Sequence, residues 1–232
     1  MRTYVRLGLA FALVLALAVL AGGGTPVYAW SYPVALNTNA ETDSGSDSSP
    51  QVATDGAGHW VVVWDSDDDL GGTIGTDYDI LVARSTDNGA TWTAPAALTT
   101  NSAWDRFPRV ATDGGGNWLA AWMSSDDLGG TIGSDVDILV ARSTDNGATW
   151  TSPIALDTNA ASHSDLDWAG CAGVASDGGD NWVAVWDSRD HDTGCDMVAA
   201  RSTDNGATWS DPTALNITPA CDPRGGWCLL RP

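Results

Sequence analysis

The octet Ser-Thr-Asp-Asn-Gly-Ala-Thr-Trp at residues 85–92 is the stretch that indicates the fold, because it occurs twice more in the chain without change. The other copies stand at 143–150 and 202–209, so the closing tryptophans lie 58 (92 to 150) and 59 (150 to 209) residues apart. A fixed period of this length is typical of a repeat architecture, in which each unit needs its neighbours to bury its faces.

Four short segments recur in every unit. In the first unit they are 51–54, 60–64, 80–84 and the stretch after the octet that ends at Leu98, and Gly, Asp, Asn and Pro bound them. Segments of this length and setting are typical of strands, and no segment beyond residue 29 has a convincing helical period. Because several of them are apolar on both faces, both faces must be covered, as when four-stranded sheets pack around an axis. The sequence predicts an all-β propeller with one blade per repeat.

The octet itself predicts a tight hairpin turn. Asn-Gly supplies two residues that tolerate positive φ, the Asp carboxylate can accept hydrogen bonds from backbone N–H groups, and the Trp can pack beneath the turn. We therefore expect a structural role for the Asp, Gly and Trp of each copy. These residues are Asp87, Gly89, Trp92, Asp145, Gly147, Trp150, Asp204, Gly206 and Trp209.

The pattern Ser-x-Asp-x-Gly-x-Thr-Trp resembles the Asp-box, or bacterial neuraminidase repeat, of sialidase-like β-propellers. The resemblance implies sialidase-like blades in which the box is a structural turn at the outer rim, and many proteins with the box are not sialidases. Units are expected at 30–91, 92–149 and 150–208, with a tail at 209–232. Since closed rings have about four to eight blades, about three blades plus partial ends predict an incomplete propeller: a truncated product, an associating chain or an open solenoid.

The first residues have the features of a secretory signal. Two arginines in 1–6 precede a 14-residue apolar run at 7–20, and Val27-Tyr28-Ala29 offers small residues where a signal peptidase reads. We expect cleavage after Ala29, so that 1–29 is a signal peptide and 30–232, 203 residues (232 minus 29), is secreted. The apolar run is too short for a membrane span.

The net charge of the chain narrows the classes of partner that it can bind. A formal net charge of −20 argues against nucleic acid and anionic membranes, and favours solubility, cation binding or a saline habitat. The expected partners are extracellular glycans or cell-surface proteins, together with self-association through open blade edges.

Four cysteines in an exported chain predict two disulfides with three possible pairings. We favour Cys171 with Cys195 and Cys221 with Cys228.

The resemblance also implies where catalysis would lie. Sialidases hold the substrate carboxylate with an arginine triad, and the first arginine stands in an Arg-Ile-Pro motif that begins an innermost strand. Arg106-Phe107-Pro108 matches that motif in part, with Phe107 as the departure, and a solvated loop arginine is the simpler alternative. The acid/base aspartate would come from the loop of the same blade. That loop offers Asp126, Asp127 and Asp135.

The nucleophile of a sialidase, a tyrosine activated by a glutamate, has no convincing match. Tyr28 would be removed with the signal peptide, Tyr32 lies on an expected outer strand, and Tyr78 lies in an expected loop. The sole glutamate, Glu41, has no evident tyrosine partner. Catalysis of the sialidase type is therefore the less favoured hypothesis.

The acidic loop of the first unit raises a separate hypothesis. Asp67, Asp69, Asp77 and Asp79 place several carboxylates within a short span that suits a hard cation such as calcium. Solvated turn residues are the alternative, because aspartate is also a good turn former. No cofactor is otherwise required.

The chain is therefore predicted to be a secreted Asp-box repeat protein, either a non-catalytic module for glycan or surface interaction and scaffolding, or a truncated propeller. The alternative is an exo-α-sialidase-type glycoside hydrolase that releases terminal sialic acids.

Overall fold

The computed structural model describes residues 35–36, 45–133, 135–156, 168–190 and 194–215, all within the unit Ala35–Pro232, and gives only the backbone at 168–171, 189–190 and 194–195. The described part contains twelve strands and no helix. The first blade comprises β1 (Asp47–Thr54), β2 (Trp60–Ser66), β3 (Asp79–Ser85) and β4 (Ala96–Ala97). The second comprises β5 (Asp105–Thr112), β6 (Trp118–Ser124), β7 (Asp137–Ser143) and β8 (Ile154–Ala155). The third comprises β9 (Trp168–Ser176), β10 (Trp182–Asp190), β11 (Gly194–Ser202) and β12 (Thr213–Ala214).

Each blade is an antiparallel sheet whose four strands are hydrogen-bonded in chain order. The first strands of successive blades approach one another, β1 against β5 and β5 against β9. The prediction of an all-β fold built from four-stranded propeller blades is confirmed, and within the described residues the sheets form an open series of three.

The blades pack face to face through alternate side chains of their middle strands. The first junction joins Val61, Val63, Ile80 and Val82 of the first blade to Trp118, Ala120, Trp122, Leu139 and Ala141 of the second. The second junction joins Leu119, Ala121, Met123, Ile138 and Val140 to Trp182, Ala184, Trp186 and Ala200 of the third blade. We call the face turned to the following blade the leading face and the tryptophan-bearing face turned to the preceding blade the trailing face. Full burial of each large side chain stabilises such a junction by about 1.5–3 kcal/mol.

The three octets form the same hydrogen-bonded turn between the third and fourth strands. Asn88 and Gly89 have φ of 60° and 80°, as the Asn-Gly pair predicted. Asp87 Oδ1 accepts the Thr91 N–H at 2.8 Å and Asp87 Oδ2 accepts the Thr91 hydroxyl at 2.6 Å. These bonds to the ionised carboxylate, that of the Thr91 hydroxyl first, lower the pKa of Asp87 to about 2. Asp145 and Asp204 have the same partners in their own copies, and their pKa values are also about 2.

The octet glycine also contributes to blade packing. A Cβ on Gly147 would lie 2.6 Å from Val61 Cγ2 of the preceding blade, and one on Gly206 would lie 2.5 Å from Leu119 Cδ1. The octet therefore needs glycine twice over, for positive φ and for close approach to the neighbouring sheet.

The first and fourth strands of a blade differ in length from the strands that the sequence predicts. β1 begins at Asp47 instead of Gln51, because a bulge at 48–51 lets the chain continue the pairing with β2. The fourth strands have only two residues each, since they pair with the third strand over two positions.

The predicted disulfides fall on residues whose side chains are not described. Cys221 and Cys228 lie outside the described residues, and Cys171 and Cys195 are described by backbone alone. β10 lies between the strands that carry Cys171 and Cys195. The pairing of the cysteines stays a prediction.

Candidate functional site

Arg106 stands at the start of β5, where the resemblance places a substrate-binding arginine. The register between β5 and β6 shifts between Arg106 and Arg109, and Phe107 within this bulge has φ of 56°. Such a conformation is unusual for a bulky residue and is held by its surroundings. The bulge turns Arg106 across the first junction toward the first blade, where its Nη2 lies 3.4 Å from the Ser48 hydroxyl.

Asp65 of β2 is the centre of this contact. Its side chain is fully buried and its Oδ1 lies 3.8 Å from Arg106 Nε. Asp65 Oδ2 accepts the Phe107 N–H at 2.9 Å, while Oδ1 accepts the Ser48 hydroxyl. One carboxylate of the first blade thus compensates the arginine of the second and fixes the strained bulge beside it.

Three aromatic rings surround the Arg106 guanidinium. Its central carbon lies 4.3 Å from the ring centroid of Tyr78, 4.9 Å from that of Phe107 and 5.9 Å from that of Trp104. Each distance is within the range of cation–π attraction. The Arg106 side chain keeps 25% of its surface exposed. We call Asp65, Arg106, Tyr78, Trp104 and Phe107 the junction cluster.

Two buried carboxyl groups lie next to this cluster. Asp105 precedes Arg106 and donates its N–H to the Tyr78 carbonyl at 2.9 Å, while its Oδ1 accepts the Trp122 indole N–H at 2.9 Å. Burial raises the pKa of Asp105 to about 7. Burial also raises the pKa of Asp79 to about 6, although the Thr99 hydroxyl donates to it at 2.9 Å. Both acids therefore take up a proton closer to neutral pH than an ordinary aspartate does.

Asp126 and Asp127, two of the predicted acid/base candidates, form the turn of their loop. Asp126 accepts the Leu128 N–H at 3.0 Å and the Asn101 amide at 2.9 Å, and Asp127 accepts the Gly129 N–H at 2.9 Å. The third candidate, Asp135, is buried with 6% of its surface exposed. The ion pair of Arg106 is formed with Asp65 of the other blade, so the structure gives Arg106 a partner that the sequence did not indicate.

The carboxylates proposed for calcium also have local roles. Asp69 accepts the Gly71 N–H at 2.9 Å, Asp67 accepts the Ser46 N–H, and Asp79 is paired with Thr99. Asp77 and Asp79 each have one buried oxygen without a hydrogen bond. Among the described residues, no group of three or more His, Cys, Asp or Glu side chains is placed to hold a metal ion. The calcium site stays a prediction.

A second surface is a groove of about 430 Å³ between the first blade and the second octet. Arg84, Thr93, Thr149, Trp150 and Thr151 contribute to its lining. Hydroxyl groups, an arginine and an indole ring in one concave surface are suited to hold a sugar. The octet repeat could have indicated this groove, because it places threonine and tryptophan at the edge of every blade.

Asp65 is the functional residue that the sequence reasoning missed. The repeat held a signal, since Asp65 stands where the second unit has Met123, both directly after the last tryptophan of the second strand. The third unit also has an aspartate at this place, Asp187, so the aspartate alone is not distinctive, and Arg106 is the member of the pair found in one repeat only. Of the nucleophile candidates, Tyr28, Tyr32 and Glu41 lie outside the described residues, and Tyr78 joins the junction cluster.

No protein-family model matches the chain, and no curated protein matches it. Solved structures do. A protein of unknown function from Dyadobacter fermentans is 19% identical with a TM-score of 0.51, over 75% of this chain and 56% of that one. A Hadza microbial sialidase is 21% identical with a TM-score of 0.48, over 70% and 36%. An α-L-arabinanase from Penicillium chrysogenum is 15% identical with a TM-score of 0.46, over 68% and 45%.

The likeness to these structures concerns the fold alone, given the low identities. The chain matches between 36% and 56% of the length of these three neighbours. In the described residues, no helix is long and apolar enough to cross a membrane.

Proposed function

We propose that the chain is a secreted, non-catalytic module of sialidase-like blades that binds extracellular glycans or cell-surface proteins. The observation that carries the proposal is the engagement of Arg106. A carboxylate clamp must present its guanidinium to the substrate, whereas Arg106 has a fully buried carboxylate at 3.8 Å and three aromatic rings around it. Arg106 is thereby committed to joining two blades.

The groove beside the second octet is the proposed binding surface. The formal charge of −20 repels anionic sugars at long range, so an uncharged oligosaccharide is the proposed ligand class. Trp150 supplies an aromatic face, and Arg84 and the threonine hydroxyls supply polar contacts.

Binding can be tested by saturation-transfer NMR with a panel of neutral oligosaccharides and with 3′-sialyllactose. Trp150→Ala and Arg84→Ala should each weaken binding of a neutral hit at least about fivefold, a loss of roughly 1 kcal/mol. Arg142→Ala, at the same position of the next blade, is the matched control and should leave binding unchanged. Binding that needs the sialyl group and is lost in Arg106→Ala would refute this assignment.

Exo-α-sialidase activity is the second candidate, because one observation favours it. Tyr78, the residue type of a sialidase nucleophile, lies against Arg106, with its ring centroid 4.3 Å from the guanidinium carbon. We expect no release of 4-methylumbelliferone from its sialic acid conjugate, since no glutamate is known to activate Tyr78 and removal of a nucleophile costs several orders of magnitude in rate. Turnover that Tyr78→Phe abolishes would establish the enzyme.

Calcium remains a proposal for the loop of Asp67, Asp69, Asp77 and Asp79. If the loop binds it, millimolar calcium should raise the melting temperature by mass action, and magnesium should do less because it keeps its water. Equal shifts with sodium at matched ionic strength would mean that screening of the net charge is sufficient.

A further inference from the structure

The groove beside the second octet lies between two walls. One wall belongs to the first blade and includes Val82, Ala96 and Leu98, and the other is the second octet with the Trp150 ring. A flat molecule that enters a groove between two walls turns one face toward each of them. The chemistry of both walls therefore decides what the groove can hold.

The wall of the first blade is built from small apolar side chains. Ala96 of β4 pairs with Val82 of β3, and paired residues of neighbouring strands lie on the same face of a sheet. Val82 packs into the first junction, so Ala96 also lies on the leading face, toward the second octet. Ala94 and Ala97 extend this wall. A ligand on this wall therefore meets methyl groups.

The second junction has a larger residue at the place of Ala96. Ile154 of β8 pairs with Val140 of β7, and Val140 packs into the second junction, so Ile154 stands where Ala96 stands in the first blade. Val140 is 1% exposed, whereas Val82 beside Ala96 is 5% exposed. The isoleucine covers its neighbour more fully, because its branched side chain takes space that belongs to the groove at the first junction.

The other groove residues change little from the first junction to the second. Arginine, tryptophan and one threonine stand at the same places of both repeats, and two further positions exchange alanine or threonine for serine. In the order first junction then second, the pairs are Arg84 and Arg142, Thr149 and Thr208, Trp150 and Trp209, Ala94 and Ser152, and Thr151 and Ser210. The pair of Ala96 and Ile154 therefore carries the largest difference in side-chain volume.

We propose that the groove takes one pyranose ring between these two walls, that Ala96 is the residue that admits the ring, and that every hydroxyl group of the ring is equatorial. This inference rests on the proposed function, the binding of an uncharged oligosaccharide in the groove. A ring of this kind carries only C–H groups on both faces, so one face can lie on Ala96 and Val82 and the other on the Trp150 indole. Its hydroxyl groups point outward along the ring edge, where Arg84 and Thr149 can bind them.

The ring geometry can be tested with two neutral sugars. The rings of cellotriose have equatorial hydroxyl groups, whereas each ring of a mannotriose with the same linkage has one axial hydroxyl group. Chemical-shift changes of isotope-labelled tryptophan indoles give both dissociation constants. We expect mannotriose to bind at least about fivefold more weakly, because its axial hydroxyl group would be buried against a wall without a hydrogen bond. Equal dissociation constants would overturn the equatorial assignment.

Ala96→Ile tests the role of Ala96 by introducing the residue that the second blade carries. It should weaken cellotriose binding at least about tenfold, because the added side chain fills the space of the ring. Isoleucine favours strands, so the variant should fold, which circular dichroism checks. Ala57→Ile, the same substitution at an exposed residue between β1 and β2, is the matched control and should leave the dissociation constant unchanged.

Opening the second junction is the converse test. In the Ala96→Ile background, Ile154→Ala together with Ser152→Ala gives the second junction the alanines of the first. Cellotriose binding should return at least in part, and Trp209→Ala should remove it again. A protein that regains no binding would overturn the role of Ala96.

The outcomes separate this inference from the proposed function. If neither cellotriose nor any other neutral oligosaccharide binds the wild type, the proposed function fails and the inference fails with it. Binding that Trp150→Ala weakens and Ala96→Ile leaves unchanged would overturn the inference alone.

Discussion

The two internal junctions are built from the same faces but differ at one end. The second junction closes with apolar side chains, where Met123 is 2% exposed and packs in a cluster with Trp104 and Phe107 at its edge. The first closes with Asp65, which is fully buried and faces Arg106. Because an apolar contact suffices at the second junction, the ion pair is not needed for blade packing as such. The end of the first junction that holds Asp65 and Arg106 is therefore specialised relative to the same end of the second junction.

The largest effect should come from removing the carboxylate of the first junction. Asp65→Ala leaves Arg106 without its counter-charge and Phe107 N–H without an acceptor, so we expect a loss of about 2–4 kcal/mol in the free energy of unfolding, allowing for the exposed quarter of Arg106. Asp67→Ala, two residues later in the loop, should cost at most about 1 kcal/mol. Denaturant unfolding followed by tryptophan fluorescence measures both, and equal losses would remove the distinction between the junctions.

An effect of similar size should come from the close contact between an octet glycine and the preceding blade, which both junctions share. Gly147→Ala places a methyl group against Val61 and forces an alanine to φ of 75°, whereas Gly56→Ala, at φ of 72°, meets no atom within 4 Å. We expect about 1 kcal/mol for the backbone strain in both variants and a further 1–3 kcal/mol, roughly, for overpacking at Gly147 alone. Val61→Ala in the Gly147→Ala background should restore part of that loss. Identical melting temperatures for the two glycine variants would show that the octet does not touch the preceding blade.

The repeated parts of the molecule could be predicted from sequence, and the specialised end could not. The octet predicted its own turn, since Asn-Gly tolerates the positive φ that a tight turn requires and the Asp hydrogen bonds stay within four residues. The pair of Asp65 and Arg106 joins residues 41 positions apart (106 minus 65) across two sheets. Periodicity fixes which face a side chain occupies, but it does not fix how one sheet is placed on the next, so the partner of Arg106 required the packed blades.

The smallest effect concerns the buried acids beside the first junction. The pKa of Asp105 is raised above its usual 3.8 to about 7, so the folded state binds a proton that the unfolded state releases. Stability from this group is therefore greatest below about pH 4 and falls as the pH rises toward 7. Asp105→Asn should reduce the loss of melting temperature between pH 5 and pH 8 by a few degrees at constant ionic strength.

Asp127→Asn removes the same formal charge at an exposed turn and serves as the control. It should leave the slope of melting temperature against pH close to that of the wild type. A slope that both variants change equally would trace the pH dependence to net charge and not to the buried carboxyl.

The central claim is that Arg106 joins two blades instead of holding a substrate, and a double-mutant cycle between Asp65 and Arg106 tests it most directly. Unfolding free energies of the wild type, Asp65→Ala, Arg106→Ala and the double variant give the coupling between the two side chains. We predict a favourable coupling of about 1–3 kcal/mol that persists at high salt, because Asp65 is fully buried and poorly screened. A coupling near zero, with Arg106→Ala as stable as the wild type, would contradict the account and return Arg106 to the role of a substrate clamp.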